Sequence, residues 1–123
     1  MAIKDLLVKR GVIEEKVIEK IISRYVKYSN GGKILFMGKF YKLKATEKIK
    51  IYLIAKIGWK YIPGQESLAV GATNSELGNE LKIPSDTTVR TAVKRLRDKG
   101  FLETKGGIHS ATEQLTFEIA EKG

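Results

Sequence analysis

One stretch of the chain places hydrogen-bond donors on a single side of a predicted helix. Val89, Val93 and Leu96 recur at helical spacing and mark the side that faces the core. At about 100° per residue, hydroxyl and basic side chains occupy the opposite side and its flanks. These side chains are Thr87, Arg90, Thr91, Lys94 and Arg95. Hydroxyl, ammonium and guanidinium groups donate hydrogen bonds to phosphate oxygens and to nucleobase edges, so the spacing predicts a nucleic-acid surface.

The position of each donor along this helix predicts its role. At the N-terminus, hydroxyls and backbone N–H groups can hold a phosphate. The hydroxyls there belong to Ser85, Thr87 and Thr88. Side chains further along the helix are candidates for contacts with base edges. These candidates are Arg90, Thr91 and Lys94. Arg95 lies further round the helix and is expected to contact phosphates, whereas Asp98 disfavours DNA at the far end.

Three predicted helices would position these donors. Thr73 and Glu76 form a T-x-x-E capping box for a short helix, and Pro84 cannot continue it. Ser85 then caps the donor-bearing helix, and Thr46 is the expected N-cap of an earlier one. The predicted core helices are 47–61, 74–81 and 86–99.

A β-hairpin is predicted after the donor-bearing helix. Gly100 ends that helix and residues 101–103 begin a strand. The partner strand is indicated by alternating apolar residues, namely Leu115, Phe117 and Ile119. The loop at 105–110 is then a flexible tip that carries Lys105 and His109. A lone histidine without a cysteine or a second histidine is expected to be an exposed loop residue, not a metal ligand.

Two helices around a turn, followed by a hairpin, resemble the winged helix-turn-helix family over about residues 46–120, in the type found in archaeal and viral transcriptional regulators. The resemblance implies a mainly α fold with a small β-hairpin (α+β), including a short strand at 68–72. It also implies sequence-specific binding to double-stranded DNA. Helix 86–99 would lie in the major groove, and hairpin 101–119 would form the wing. The tip of the wing would bring Lys105 and His109 to the DNA backbone or minor groove.

Residues 1–45 are predicted to form an N-terminal helical and extended region, separate from a domain at 46–123. The periodicity predicts a short helix at 2–10, an amphipathic helix at 13–28 and extended structure at 33–43. The amphipathic helix has a wide apolar stripe, made of Ile13, Val17, Ile18, Ile21 and Ile22. This stripe must pack either on the chain's own core or against a second copy, and we expect a homodimer contact.

The net charge of +9 is unevenly distributed. Residues 1–62 contain 15 Lys/Arg and 5 Asp/Glu, whereas residues 63–123 contain 8 and 9. A positive balance favours polyanions, nucleic acid foremost. Between residues 33 and 61, lysines interleave with aromatic residues; these lysines are Lys33, Lys39, Lys42, Lys44, Lys48, Lys50, Lys56 and Lys60. This region is either a supplementary nucleic-acid surface or a core surrounded by lysine stems.

Enzymatic and membrane functions are not expected. The chain has no cysteine, one histidine, and neither a G-x-S-x-G nor an H-E-x-x-H motif, so we expect no catalytic residue, cofactor or metal. Charged residues interrupt any apolar segment near the start, and no apolar run is long enough to span a bilayer. A cytoplasmic protein without a membrane partner is therefore expected. The excess of lysine over arginine, 18 to 5, is typical of thermophiles and suggests a thermophilic archaeon or its virus.

Two alternatives to sequence-specific DNA binding stay open. Winged helices also serve as protein-interaction modules, and the near-neutral charge of residues 63–123 favours docking on a larger transcription or replication assembly. A non-specific nucleic-acid binder would instead use the Lys- and aromatic-rich region at 33–61.

Overall fold

The computed structural model describes residues 15–16, 18–20, 23–29, 31–65, 70–115 and 118. These residues form a mixed helix-and-strand (α+β) structure with two small antiparallel hairpins. The elements in chain order are β1 (Val26–Tyr28), β2 (Ile34–Phe36), a 3-10 helix (Gly38–Lys42), α1 (Ala45–Ile57), a second 3-10 helix (Gly58–Tyr61), α2 (Asn74–Glu80), α3 (Asp86–Asp98), β3 (Leu102–Lys105) and β4 (Ile108–Ala111). Some predictions lie outside the described residues, namely those for 2–10, 68–69, Ile13, Val17, Ile21, Ile22, Phe117 and Ile119.

The first hairpin corrects the prediction of a helix that continues to Tyr28. Helical residues end at Tyr25, and β1 then pairs with β2 in antiparallel register. Val26 is buried and Lys27 is exposed, which is the alternation of a strand. The extended structure predicted at 33–43 is confirmed only for β2, because the residues after it form the first 3-10 helix. Pairing with a neighbouring strand therefore overrides helical periodicity here.

Ile18 is the described member of the predicted dimer stripe, and it is buried in its own chain. It packs against the start of the second 3-10 helix, where a Cβ on Gly58 would lie 3.1 Å from its Cγ2. The Tyr28 hydroxyl donates to the Ala55 carbonyl at the same place. At this position the stripe therefore packs on the chain's own core.

α1 is the central helix of the core. It packs against α3 and β4, and every residue from Ile49 to Lys56 is buried. The prediction of Thr46 as its N-cap is wrong, because Lys44 occupies the N-cap position and no side chain caps the helix. The predicted continuation to Tyr61 is present only as the tighter 3-10 helix.

The predicted caps of α2 and α3 are confirmed. Thr73 Oγ1 accepts the backbone N–H of Glu76 at 3.2 Å, and Ser85 Oγ accepts that of Thr88 at 3.3 Å. Between the helices, Lys82 takes a left-handed conformation with φ of 55°, which turns the chain toward Pro84. The inward side of α3 is also as predicted, with buried residues Val89, Ala92, Val93 and Leu96.

The second hairpin is shorter than the predicted 101–119. Its turn consists of Gly106-Gly107, whose φ values of 57° and 80° are the positive angles that a two-residue turn requires. β4 therefore begins directly after the turn. The prediction of a flexible loop at 105–110 is wrong, because these residues form the ends of two paired strands and the tight turn between them. Residues 113–115 are helical and Leu115 is buried, so the prediction of a partner strand there is wrong. Because the glycine turn reverses the chain at 106–107, β3 pairs with residues 108–111 and not with the predicted strand that contains Leu115.

The segment before α2 reaches the second hairpin. Ala72 and His109 exchange two backbone hydrogen bonds of 2.9 and 2.8 Å in an antiparallel bridge. Gly71 permits this approach, because a Cβ there would lie 2.9 Å from the His109 carbonyl oxygen. The strand predicted at 68–72 is thus present as a bridge at its last residue. This bridge connects the chain at the start of α2 to β4.

Candidate nucleic-acid interface

α3 presents all of its predicted donors to solvent. Its inner side packs against α1 and α2, and the side chains on the remaining surface are exposed. The exposed donors are Ser85, Thr87, Thr88, Arg90, Thr91, Lys94 and Arg95. Their positions follow from helical geometry, because the buried residues fill one side only. The structure therefore brings these seven residues together on one accessible surface, which we call the α3 surface.

Ser85 has a structural role at the start of this surface. Its hydroxyl oxygen accepts the N–H of Thr88 and so satisfies one of the unpaired donors of the first helical turn. Thr87 and Thr88 expose their side chains beside it. Asp86 also lies in this first turn, where a carboxylate interacts favourably with the helix dipole and disfavours an approaching phosphate.

Arg90 is paired on the α3 surface. Its Nη2 contacts Asp86 Oδ2 in an ion pair between residues one turn apart. Both side chains stay mostly exposed, at 69% and 62%. Sequence reasoning assigned Arg90 without this partner, although the Asp-x-x-x-Arg spacing was visible in the sequence.

Two grooves extend the α3 surface on either side. One lies between the start of α1 and α3, and it is lined by Ala45, Thr46, Thr87, Thr88, Thr91 and Arg95. The other lies between α2 and α3, and its polar lining includes Asn74, Ser75, Asn79, Lys82, Asp86 and Arg90. The sequence analysis missed Thr46, Asn79 and Lys82, because residues distant in sequence meet α3 only after packing.

Lys105 lies at the end of β3, beside the glycine turn. Its side chain is exposed, and its Nζ is 3.3 Å from Glu103 Oε1. The prediction of Lys105 at an exposed hairpin tip agrees with this position. The adjacent Glu103 lowers the positive charge that the hairpin offers to a phosphate.

His109 is not at the hairpin tip, and the prediction of an exposed loop residue there is wrong. It is the second residue of β4, pairs with Thr104 of β3, and is only 4% exposed. Its Nδ1 lies 2.7 Å from Thr104 Oγ1, and its Nε2 lies 2.8 Å from Asn74 Oδ1. The strand alternation turns its ring inward, so it cannot contact DNA as predicted.

His109 instead connects the hairpin to α2. Because the Asn74 oxygen is an acceptor, Nε2–H donates to it, and Nδ1 accepts the Thr104 hydroxyl proton. Burial lowers the pKa of the His109 ring, and the positive charge of Arg97 lowers it further. The neutral ring therefore acts as a hydrogen-bonded strut between two elements that flank α3.

Two of the lysines between residues 33 and 61 are turned away from solvent. Lys50 and Lys56 are buried, at 8% and 9% exposure. Lys50 Nζ lies 3.2 Å from a Glu47 carboxylate oxygen and 5.7 Å from the Phe101 ring centroid. Lys56 Nζ lies 3.9 Å from a Glu76 carboxylate oxygen. These stems cover apolar surface, as one of the two sequence interpretations proposed.

Most of the interleaved aromatic rings are also turned inward. Phe40 and Trp59 are buried, and Phe36 stacks on Phe40 with ring centroids 4.3 Å apart. Tyr52 is buried on α1. Tyr41 is exposed and lies near the ammonium groups of two lysines, Lys48 and Lys82. A row of base-stacking rings is therefore not available in this region.

Comparison of the chain with protein-family models, with curated proteins and with solved structures gives no match. In the part of the chain that the structure describes, no helix is both long enough and apolar enough to cross a bilayer. Over the same residues, no cluster of three or more side chains suits a metal ion.

Proposed function

We propose that this chain is a winged helix-turn-helix protein that binds double-stranded DNA in a sequence-specific manner, as a small transcriptional regulator. α3 enters the major groove, and the β3–β4 hairpin acts as the wing. The observation that carries this proposal is the α3 surface, where exposed hydroxyls and cations lie opposite a fully buried side. A helix of 13 residues is about 20 Å long, which suits a major groove.

The surrounding elements support this orientation. The bridge between Ala72 and β4, and the strut from His109 to Asn74, hold the hairpin against the helices. The groove with Thr46 and Arg95 offers hydroxyl and guanidinium donors to a phosphate beside the major-groove contacts. The homodimer expected from the apolar stripe is not part of this proposal, because Ile18 is buried in its own chain.

The test is a selection of bound sequences from random duplex DNA, followed by affinity titrations over a salt series. Enrichment of one sequence pattern, with a salt slope that reflects several phosphate contacts, is the expected result. Equal binding to every duplex, or preference for single strands, would overturn sequence-specific duplex binding. The titrations must be repeated with scrambled duplexes of the same length as a control.

A protein-interaction module is the second candidate. Helix α3 and the hairpin also carry exposed carboxylates, on Asp86, Asp98 and Glu103. These carboxylates repel phosphates and suit a mixed-charge protein partner. Absence of binding to any duplex in the selection favours this candidate, in which α3 docks on a protein.

A further inference from the structure

We propose that Asp86 is a positioning residue that orients Arg90 toward a guanine in the bound DNA. This inference rests on the proposed function and adds the class of base pair that the protein prefers at one position of its site. The ion pair between Arg90 Nη2 and Asp86 Oδ2 is the observation that carries it.

The ion pair limits how the Arg90 guanidinium can move. A free arginine on a helix surface samples many rotamers, and ordering it on DNA costs conformational entropy. The Asp86 carboxylate, one helical turn away, binds the Nη2 group of the Arg90 guanidinium before DNA binds. The Arg90 side chain as a whole stays mostly exposed, and a planar guanidinium can pair with two acceptors at once.

Guanine is the base whose acceptors match the N–H groups of the Arg90 guanidinium. Its O6 and N7 atoms accept two parallel hydrogen bonds in the major groove, and arginine is a common partner for them. Adenine presents a donor at the corresponding edge and would meet the N–H groups of Arg90 unfavourably. The acidic residue therefore has two effects of opposite sign. It weakens attraction to phosphates in general, and it sharpens discrimination at one base pair.

Asp86→Asn separates these two effects. Loss of the charge raises affinity for mixed-sequence duplexes by about twofold, because one repulsive carboxylate is removed. Loss of the orienting carboxylate lowers the preference for guanine at one position by about fivefold or more. Both quantities come from titrations of the selected duplex against duplexes changed at one position at a time.

Asp98→Asn is the matched control. It removes the same charge from the same helix, about 12 Å further along the axis from Arg90. Its expected result is a small rise in affinity for every duplex, with no change in base preference. An equal loss of preference in both variants would show a general charge effect and overturn the inference.

A double-mutant cycle tests whether Asp86 acts through Arg90. In the Arg90→Ala background, Asp86→Asn should change base preference no further. A further change there would mean that Asp86 contacts a base directly, which overturns a positioning role. If the parent selects a site and Asp86→Asn keeps the full preference, the inference fails alone. If the parent binds no duplex, the proposed function fails and the inference fails with it.

Discussion

α1 and α3 are both 13-residue helices with basic side chains, and they use those side chains in opposite ways. Lys50 and Lys56 of α1 are buried and paired with carboxylates. Lys94 and Arg95 of α3 are exposed on the α3 surface. α1 lies at the centre of the core with α3 and β4 packed against it, whereas α3 has one side free.

This comparison of α1 and α3 shows that the net charge of a segment and the exposure of its charged side chains are separate properties. Residues 1–62 have a net charge of +10, but two of the lysines there, Lys50 and Lys56, are buried and cover apolar surface. Residues 63–123 have a net charge of −1, and they present the clearest outward-facing set of donors. The count of lysines in a segment and the orientation of a helix therefore predict different locations for a binding surface in this chain.

The largest effect is expected from Leu96→Ala. Leu96 is fully buried on the inner side of α3, and its packing decides which side of the helix faces outward. Loss of its side chain should lower the free energy of unfolding by about 2–5 kcal/mol. Denaturant titration measures this free energy. Thr91→Ala, on the exposed side of α3, is the control and should change the free energy of unfolding by no more than about 0.5 kcal/mol. Equal effects of the two variants would contradict the assignment of the two sides.

The next effect concerns the strut beside α3. His109→Ala removes the ring that hydrogen-bonds Thr104 and Asn74, and it should cost about 1–3 kcal/mol of unfolding free energy. Ile108→Ala, the neighbouring exposed position on β4, is the control and should cost clearly less. Under the proposed function, DNA affinity should also fall in His109→Ala, because the His109 ring connects the β3–β4 hairpin to α2.

The same histidine predicts a pH dependence. Its pKa in the folded chain is lowered by burial and by Arg97, whereas the unfolded value is about 6.5. As the pH falls below that value, the unfolded chain binds the proton first, so this contribution to stability is lost progressively down to the folded pKa. Unfolding titrations between pH 5 and 8, at about one-unit steps, should show this slope in the parent and not in His109→Ala. An identical slope in both would contradict the prediction.

The comparison of the two helices is tested most directly by Lys94→Ala and Lys56→Met. Lys94→Ala should weaken binding of the selected duplex by about 1–3 kcal/mol and leave unfolding within about 0.5 kcal/mol. Lys56→Met keeps an apolar stem but removes the ammonium group, so it should leave DNA affinity unchanged. DNA titrations should therefore separate the two variants, because Lys94→Ala lowers the affinity for the selected duplex and Lys56→Met does not. Weakened DNA binding in Lys56→Met would show that α1 contributes to the interface after all.

The smallest effect is expected from Lys44→Ala. Lys44 is exposed at the N-cap of α1, next to the groove that contains Thr46 and Arg95. If it touches only phosphate, its loss should weaken binding to all duplexes alike and reduce the salt slope by about one unit. Lys33→Ala, in the turn of the first hairpin, is the matched control and should leave the slope unchanged. A salt slope in Lys44→Ala equal to that of the parent would contradict a phosphate contact by Lys44.

Several features of this chain are determined by residues close together in sequence. The caps at Thr73 and Ser85 form within one helical turn, so their side chains find their partners whatever packs nearby. The inward side of α3 follows from its apolar periodicity alone. These local rules predicted the order of α2, α3 and a hairpin, and with it the donors of the α3 surface.

Other features were decided only by tertiary packing. Lys50 and Lys56 of α1 are buried beside residues that follow α1 in the chain: Lys50 lies near Phe101, and Lys56 lies near Glu76 of α2. β1 pairs as a strand although its residues continue a helical pattern, since a neighbouring strand satisfies its backbone. His109 faces inward because the two-glycine turn sets the register of β4, and Asn74 of α2 then completes its hydrogen bonds. The partners of Lys50, Lys56 and His109 named here are distant in sequence, so these contacts exist only in the folded chain.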